Sequence, residues 1–148
     1  KYSQIDFNTP GFMREAEQMS QYIKQLEIEL AQITNGFKVE EQKAKIDFEA
    51  NDSSRAKELA FSAYRSDVYQ LRMYGVFLFG HLADDKDILN FMLQNVSKDE
   101  NWRVQEVLAK AFDEYCRRNG FEKSLPVIDL WLQDKNPNEN RLVMPCEI

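Results

Sequence analysis

Two residues in the stretch 101–115, NWRVQEVLAKAFDEY, combine side chains that can act on a positive charge: Trp102 and Glu106. An indole face attracts cations through its quadrupole, worth about 0.5–2 kcal/mol. Four residues apart, the two stand one above the other on a helix that turns about 100° per residue. They also stand away from Val104, Val107, Leu108, Ala111, Phe112 and Tyr115, whose three-and-four spacing marks a buried stripe. Two structural readings compete. A tryptophan at a helix start often packs under the next element, and Glu106 can pair with Lys110 at i+4 for only about 0.3–0.5 kcal/mol.

Other chemistries find little support. Cys116 and Cys146 are far apart, and the single histidine, His81, is close to neither, so no zinc spacing and no Cys–His pair arises. Two isolated cysteines fit a reducing cytoplasm. The acidic run Asp84-Asp85-Lys86-Asp87 lacks calcium-loop spacing and reads as a solvated loop with a helix N-cap. His81 reads as a packed or exposed histidine. There is no Gly-rich phosphate loop and no serine elbow. Neither a metal nor a cofactor is expected.

The elements that must position Trp102 and Glu106 are helical. The chain has 148 residues, about one domain, with 43% hydrophobic and 30% charged residues. Five Gly and four Pro are too few for many tight β-turns. A net charge of −6 argues against a generally basic nucleic-acid coat but allows a local basic face. No apolar run approaches the ~18 residues of a membrane span, so a cytoplasmic protein without membrane contact is expected.

Phe12, Ala16, Met19, Ile23, Leu26, Leu30 and Ile33 define a long amphipathic helix ended by Asn35-Gly36. Its seam is expected to dock within the chain, with self-association through helix 12–33 as the alternative. Residues 38–50 form a polar helix with Val39, Ile46 and Ala50 as its apolar line. A repeat follows: helices 54–65 and 68–82, then 86–96 and 101–117, then a shorter 124–133. A shift of thirty-three residues lays Leu71, Tyr74, Gly75, Leu78 and Phe79 onto Val104, Val107, Leu108, Ala111 and Phe112. Helix–turn–helix units at that period predict an all-α, α-α superhelix of HEAT type. The chain is expected to be a single domain over 1–148, with N-terminal helices 12–50 and units at about 54–82, 86–117 and 124–144. The third unit is irregular, because Glu139 replaces a core position and Pro145 breaks its second helix.

The repeat also places the candidate pair. The equivalents of Trp102 and Glu106 are Tyr69 and Met73 in the first unit and Pro137 and Arg141 in the third. The second helix of each unit lines the concave surface of such solenoids, so these residues are expected to form a ladder along it. Arg72, Arg103 and Lys110 flank the ladder and could meet phosphates.

The segments YQLRMYGVFLFGHLA, SKDENWRVQEVLAKAFDEYC and EKSLPVIDLWLQDKNPN resemble the DNA alkylation repair enzymes, a HEAT-repeat family of alkylpurine DNA glycosylases. The likeness runs from about Val39 to Asn138 and is most specific over 67–138; further repeats would be expected after Asn138. It implies a protein that binds alkylated double-stranded DNA in a concave cleft without a metal. The family's active members hydrolyse the N-glycosidic bond of N3- or N7-alkylated purines. Trp102 matches the family's tryptophan, Glu106 stands where the family has an aspartate, and Arg141 falls at its arginine. The resemblance thus implies Glu106, Trp102 and Arg141 as catalytic, with Tyr69, Arg72, Arg103 and Lys110 on the DNA. The alternative is a non-catalytic HEAT-repeat scaffold that binds DNA or protein.

Overall fold

A computed structural model describes residues 11–120, 122–126 and 129, with side chains from Glu15 onward. Of the third unit only 124–126 and 129 are described. Pro137, Glu139, Arg141, Pro145 and Cys146, and the side chain of Phe12, lie outside the described residues. The described chain runs α1 (Gly11–Ala31), α2 (Lys38–Ala50), α3 (Ser53–Tyr64), α4 (Tyr69–His81), α5 (Lys86–Gln94), a 3₁₀ turn (Val96–Lys98) and α6 (Trp102–Asn119). The all-α superhelix expected from the repeat is the fold observed.

Helix α4 is the hub, packed by α6, α3, α2 and α1. Gln70, Leu71 and every residue from Met73 to Gly80 are buried. Close approach comes from small residues. At Gly75 a β-carbon would stand 3.0 Å from the Ala60 carbonyl oxygen of α3, and at Gly80 one would stand 3.0 Å from Cβ of Ala111 in α6. Phe61, Tyr64, Phe79 and Phe91 then join α3, α4 and α5 in one aromatic cluster, with ring centroids 4.9–6.0 Å apart. The two matched stripes, Leu71 to Phe79 and Val104 to Phe112, are buried as the thirty-three-residue shift requires.

The seam of α1 docks within the chain, with Leu26 and Leu30 buried and Met19, Ile23 and Ile33 against the core. Gln70 donates from Nε2 to the carbonyls of Ile33 (2.8 Å) and Ala31 (3.3 Å), satisfying acceptors that the end of α1 leaves open.

Helix α2 departs from its expected orientation. Val39 and Ile46 are 48% and 58% exposed, while Glu40, Ala44 and Asp47 face inward. Polar pairing explains the reversal at one end. Asp47 Oδ2 accepts from the hydroxyls of Tyr22 (2.7 Å) and Tyr74 (2.6 Å), tying α1, α2 and α4 together. At the other end Phe37 meets Phe77 of α4, with centroids 5.9 Å apart. α2 therefore roofs part of α4. Met73, expected on the open surface, is only 1% exposed.

Candidate nucleic-acid interface

The site is built from the start of α6. Asn101 caps the helix, its side chain accepting from the Arg103 amide at 2.8 Å. The turn before it is held on three sides. Asp99 Oδ1 accepts from the Asn101 amide (2.9 Å), and Gln105 donates to the carbonyls of Ser97 and Asp99, both at 2.7 Å. From α4, Arg72 grips both oxygens of Asp99, and from α3 the Tyr64 hydroxyl donates to Oδ2 at 2.8 Å. Burial first, and then the bond to Asp99, pushes the Tyr64 phenol well above its ordinary value. The direction in which Trp102 leaves the core is thereby set by neighbouring repeats.

Trp102 is 66% exposed, and Glu106, one turn on, is exposed as well. Among the described residues Glu106 has no hydrogen-bond or ion-pair partner, so the pair with Lys110 that the competing structural reading allowed does not form. Lys110 instead lays its ammonium over the Phe37 ring, 5.2 Å from the centroid. The Arg103 guanidinium stands 5.0 Å from the Trp102 ring and 5.9 Å from that of Tyr69. Tyr69, Trp102, Arg103, Glu106 and Lys110 therefore lie along the α6 side of the molecule, between α4 and the start of α2. Arg72 does not join them. Its guanidinium faces inward, bonded to Asp99 and to the Ser66 carbonyl (3.0 Å), and serves as a tie between repeats.

Further along the same face a cavity of about 410 Å³ opens between α2, α4 and α6. Lys45, Lys110 and Arg118 line it beside Phe77, His81 and two glutamates, Glu41 and Glu114. Cations cluster here but are interleaved with acids. Arg118 donates to the Gly80 carbonyl near the end of α4 (3.0 Å), and His81 stacks on Phe48 with centroids 4.9 Å apart. Burial, reinforced by Arg118, lowers the His81 pKa.

Several contributors were invisible in the sequence pattern. Asp99 and Tyr64 look like a linker residue and a core aromatic, and Gln105 like a polar surface position. Glu40, in the polar run KVEEQK, is fully buried, with neither carboxylate oxygen hydrogen-bonded to another residue. Burial raises its pKa, while its own backbone amide and the charge of Arg103 pull the other way. Cys116 is buried, and Cys146 lies outside the described residues. No helix among the described residues is long and apolar enough to cross a membrane.

Stacked helix pairs with an exposed aromatic–carboxylate face define a HEAT-like helical-repeat protein. Among solved structures, AlkD2 from Streptococcus mutans is 57% identical, with a TM-score of 0.80 over 84% of this chain and 60% of that one. The protein smu.31 from Streptococcus mutans UA159 is 54% identical, with a TM-score of 0.77 over 84% of this chain and 59% of that one. No family model and no curated protein matches the chain. The chain belongs to the AlkD-like family of DNA alkylation repair proteins, and it spans about 60% of the length of these relatives.

Proposed function

We propose that the protein binds duplex DNA carrying cationic N3- or N7-alkylated purines across the α6 face, in the cytoplasm, and hydrolyses their N-glycosidic bond. One observation carries this reading: a largely exposed tryptophan, fixed at the root by a half-buried polar network, stands one turn from a carboxylate without a partner among the described residues. Trp102 would attract the cationic base. Arg103, Lys110 and Tyr69 would contact the backbone, joined by Arg141, while Arg72 keeps the turn of α6 in register.

In the reaction, the bond from the sugar anomeric carbon to the purine nitrogen breaks and its electron pair leaves with the base. Positive charge is left on the sugar, where the Glu106 carboxylate stabilises it. Water adds to the anomeric carbon and gives up a proton to the carboxylate, yielding an abasic site and the free base. An alkylated purine is already a good leaving group, so no strong general acid is needed.

A second reading, a non-catalytic DNA- or protein-binding scaffold, draws support from Glu106 itself. It reaches one methylene further than an aspartate and is oriented by no hydrogen bond; a misplacement of about 1 Å can cost on the order of 100-fold in rate. Release of 7-methylguanine or 3-methyladenine from alkylated duplex DNA separates the two. Hydrolysis predicts release by the native chain and its loss in Glu106→Gln and Trp102→Ala. Release no greater than background in the native chain rejects hydrolysis. DNA affinity against salt then divides a DNA binder, which weakens steeply, from a protein scaffold.

A further inference from the structure

The helix pair α1–α2 packs on α3 and α4 and turns its other side outward. Such an outward side is normally polar at the end of a solenoid. Here three of the five exposed large hydrophobic side chains among the described residues, Ile28, Val39 and Ile46, stand on this one pair. Val39, Lys43, Ile46 and Ala50 recur at steps of four, three and four, so they share one side of α2. Beside that stripe a groove of about 310 Å³ runs between α1 and α2, with a polar lining of Gln18, Gln21, Tyr22, Gln25, Glu29 and Lys43. It shares no residue with the cavity beside α6. Its two charges are opposite in sign and lie apart. The Lys43 ammonium is 5.4 Å from the centroid of the Tyr22 ring, and Glu29 stands two turns beyond Tyr22 on α1, about 10 Å along the axis. Among the described residues neither forms an ion pair, and Glu29 accepts only from the Gln25 side chain, at 3.1 Å.

We propose that this outer side of α1 and α2 is the contact surface of a two-fold dimer, in which Lys43 of each copy pairs with Glu29 of the other across the groove. The surface is self-complementary, as a two-fold contact requires. An axis crossing α1 at Gln25 and α2 midway between Val39 and Ile46 lays each helix antiparallel on its copy. The Tyr22–Asp47 hydrogen bond (2.7 Å) fixes the level of α1 against α2, so one axis serves both helices. Lys43 then meets Glu29 twice and Val39 meets Ile46 twice. Gln25 faces its own copy, and a carboxamide both donates and accepts. The Leu26–Leu30 seam of α1 is already buried in the core, so this contact uses the remaining side of the helix. Two helices side by side, about 30 Å by 20 Å, offer about 600 Å² per copy, at the lower edge of specific interfaces. The dimer is therefore a weak one, with a dissociation constant on the order of 10 μM.

Light scattering on the full chain tests this. At about 100 μM the native protein should approach twice its 17.4 kDa mass, and it should return to monomer below about 1 μM. Lys43→Glu sets two carboxylates against each other at each crossing, and Glu29→Lys sets two ammonium groups, so each variant alone should be monomeric at the higher concentration. Mixed in equal amounts, the two variants present opposite charges at both crossings and should recover the dimer mass. Lys86→Glu, the same charge change on α5, should leave the dimer intact. A native chain that stays monomeric at the higher concentration overturns the proposal, and so does a dimer that both charge variants leave whole or that Lys86→Glu disrupts equally. A mixture that stays monomeric, although both variants melt like the native chain, overturns the two-fold pairing. Ile46→Ser alters a largely exposed side chain and should weaken the dimer about fivefold or more. It decides the matter even if a charge variant does not fold, because undiminished dimerisation would place the contact elsewhere.

Discussion

Arg72 and Asp99 meet through two hydrogen bonds, Nε to Oδ2 at 3.0 Å and Nη2 to Oδ1 at 3.3 Å, which join the first turn of α4 to the loop that starts α6. The Asp99 side chain is only 6% exposed and that of Arg72 19%. Removing one partner would leave the other charge partly buried and its donors or acceptors unsatisfied. Breaking a fully buried pair costs about 3–5 kcal/mol; with Arg72 reached by solvent, Arg72→Met should cost about 2 kcal/mol. In a chain of this size the melting temperature should fall by roughly 6 °C, measured by circular dichroism. A midpoint within a degree of the native one would show that this tie does not hold α6.

The helix contacts at Gly75 and Gly80 make a paired prediction. Alanine in place of glycine inside a helix gains about 1 kcal/mol from propensity, so the sign depends on space. At Gly75 a β-carbon meets two backbone atoms of α3, Ala60 O at 3.0 Å and Tyr64 N at 3.2 Å. At Gly80 the crowding is chiefly Cβ of Ala111 at 3.0 Å. Overpacking costs about 1–3 kcal/mol. Gly75→Ala should therefore be clearly destabilising and Gly80→Ala nearer to neutral; urea midpoints in the reverse order would contradict this packing.

Most of the fold could be read from periodicity, because the stripes Leu71–Phe79 and Val104–Phe112 each fill one side of a helix. The same pattern singled out Trp102 and Glu106 as residues off the stripe. It could not say which further helix would cover α4, and so Met73 was expected in the open. Arg72 looked like a phosphate ligand because its partner, Asp99, lies in another repeat and pairs with it only in the folded chain. Glu40 was the hardest to see: a glutamate in a polar helix looks solvated, and only the rolled orientation of α2, anchored by Asp47 and Phe37, turns it inward.

The buried carboxyl of Glu40 has a stability signature. Its folded pKa lies above the ordinary value of 4.5, so the folded state holds more protons than the unfolded state just above that pH. Stability contributed by this proton is present at low pH and declines as pH rises from 4.5 through the folded pKa. Glu40→Met should remove the decline and make the protein more stable at neutral pH by about 1–2 kcal/mol. An equal or lower melting temperature at pH 7 would indicate that the carboxylate is satisfied after all.

His81 works in the opposite direction. Phe48 stacks on it, Arg118 and Lys45 oppose its protonation, and Glu114 and Glu49 favour it, with burial the largest influence. With a folded pKa below 6.5, the unfolded chain binds the proton first. Stability should therefore fall as pH drops from about 6.5 through the folded pKa. His81→Gln should flatten that part of the melting-temperature profile, and a profile unchanged by the substitution would contradict the assignment.

The central claim, that the Trp102 face recognises cationic lesions in DNA, is tested most directly by comparing affinity for two duplexes of one sequence, one carrying N7-methylated guanines and one unmodified. The native chain should prefer the methylated duplex by about fivefold, within the range of one cation–π contact. Trp102→Ala should bind both duplexes equally while keeping the same dependence on salt. Equal affinity of the native chain for the two duplexes would contradict the claim.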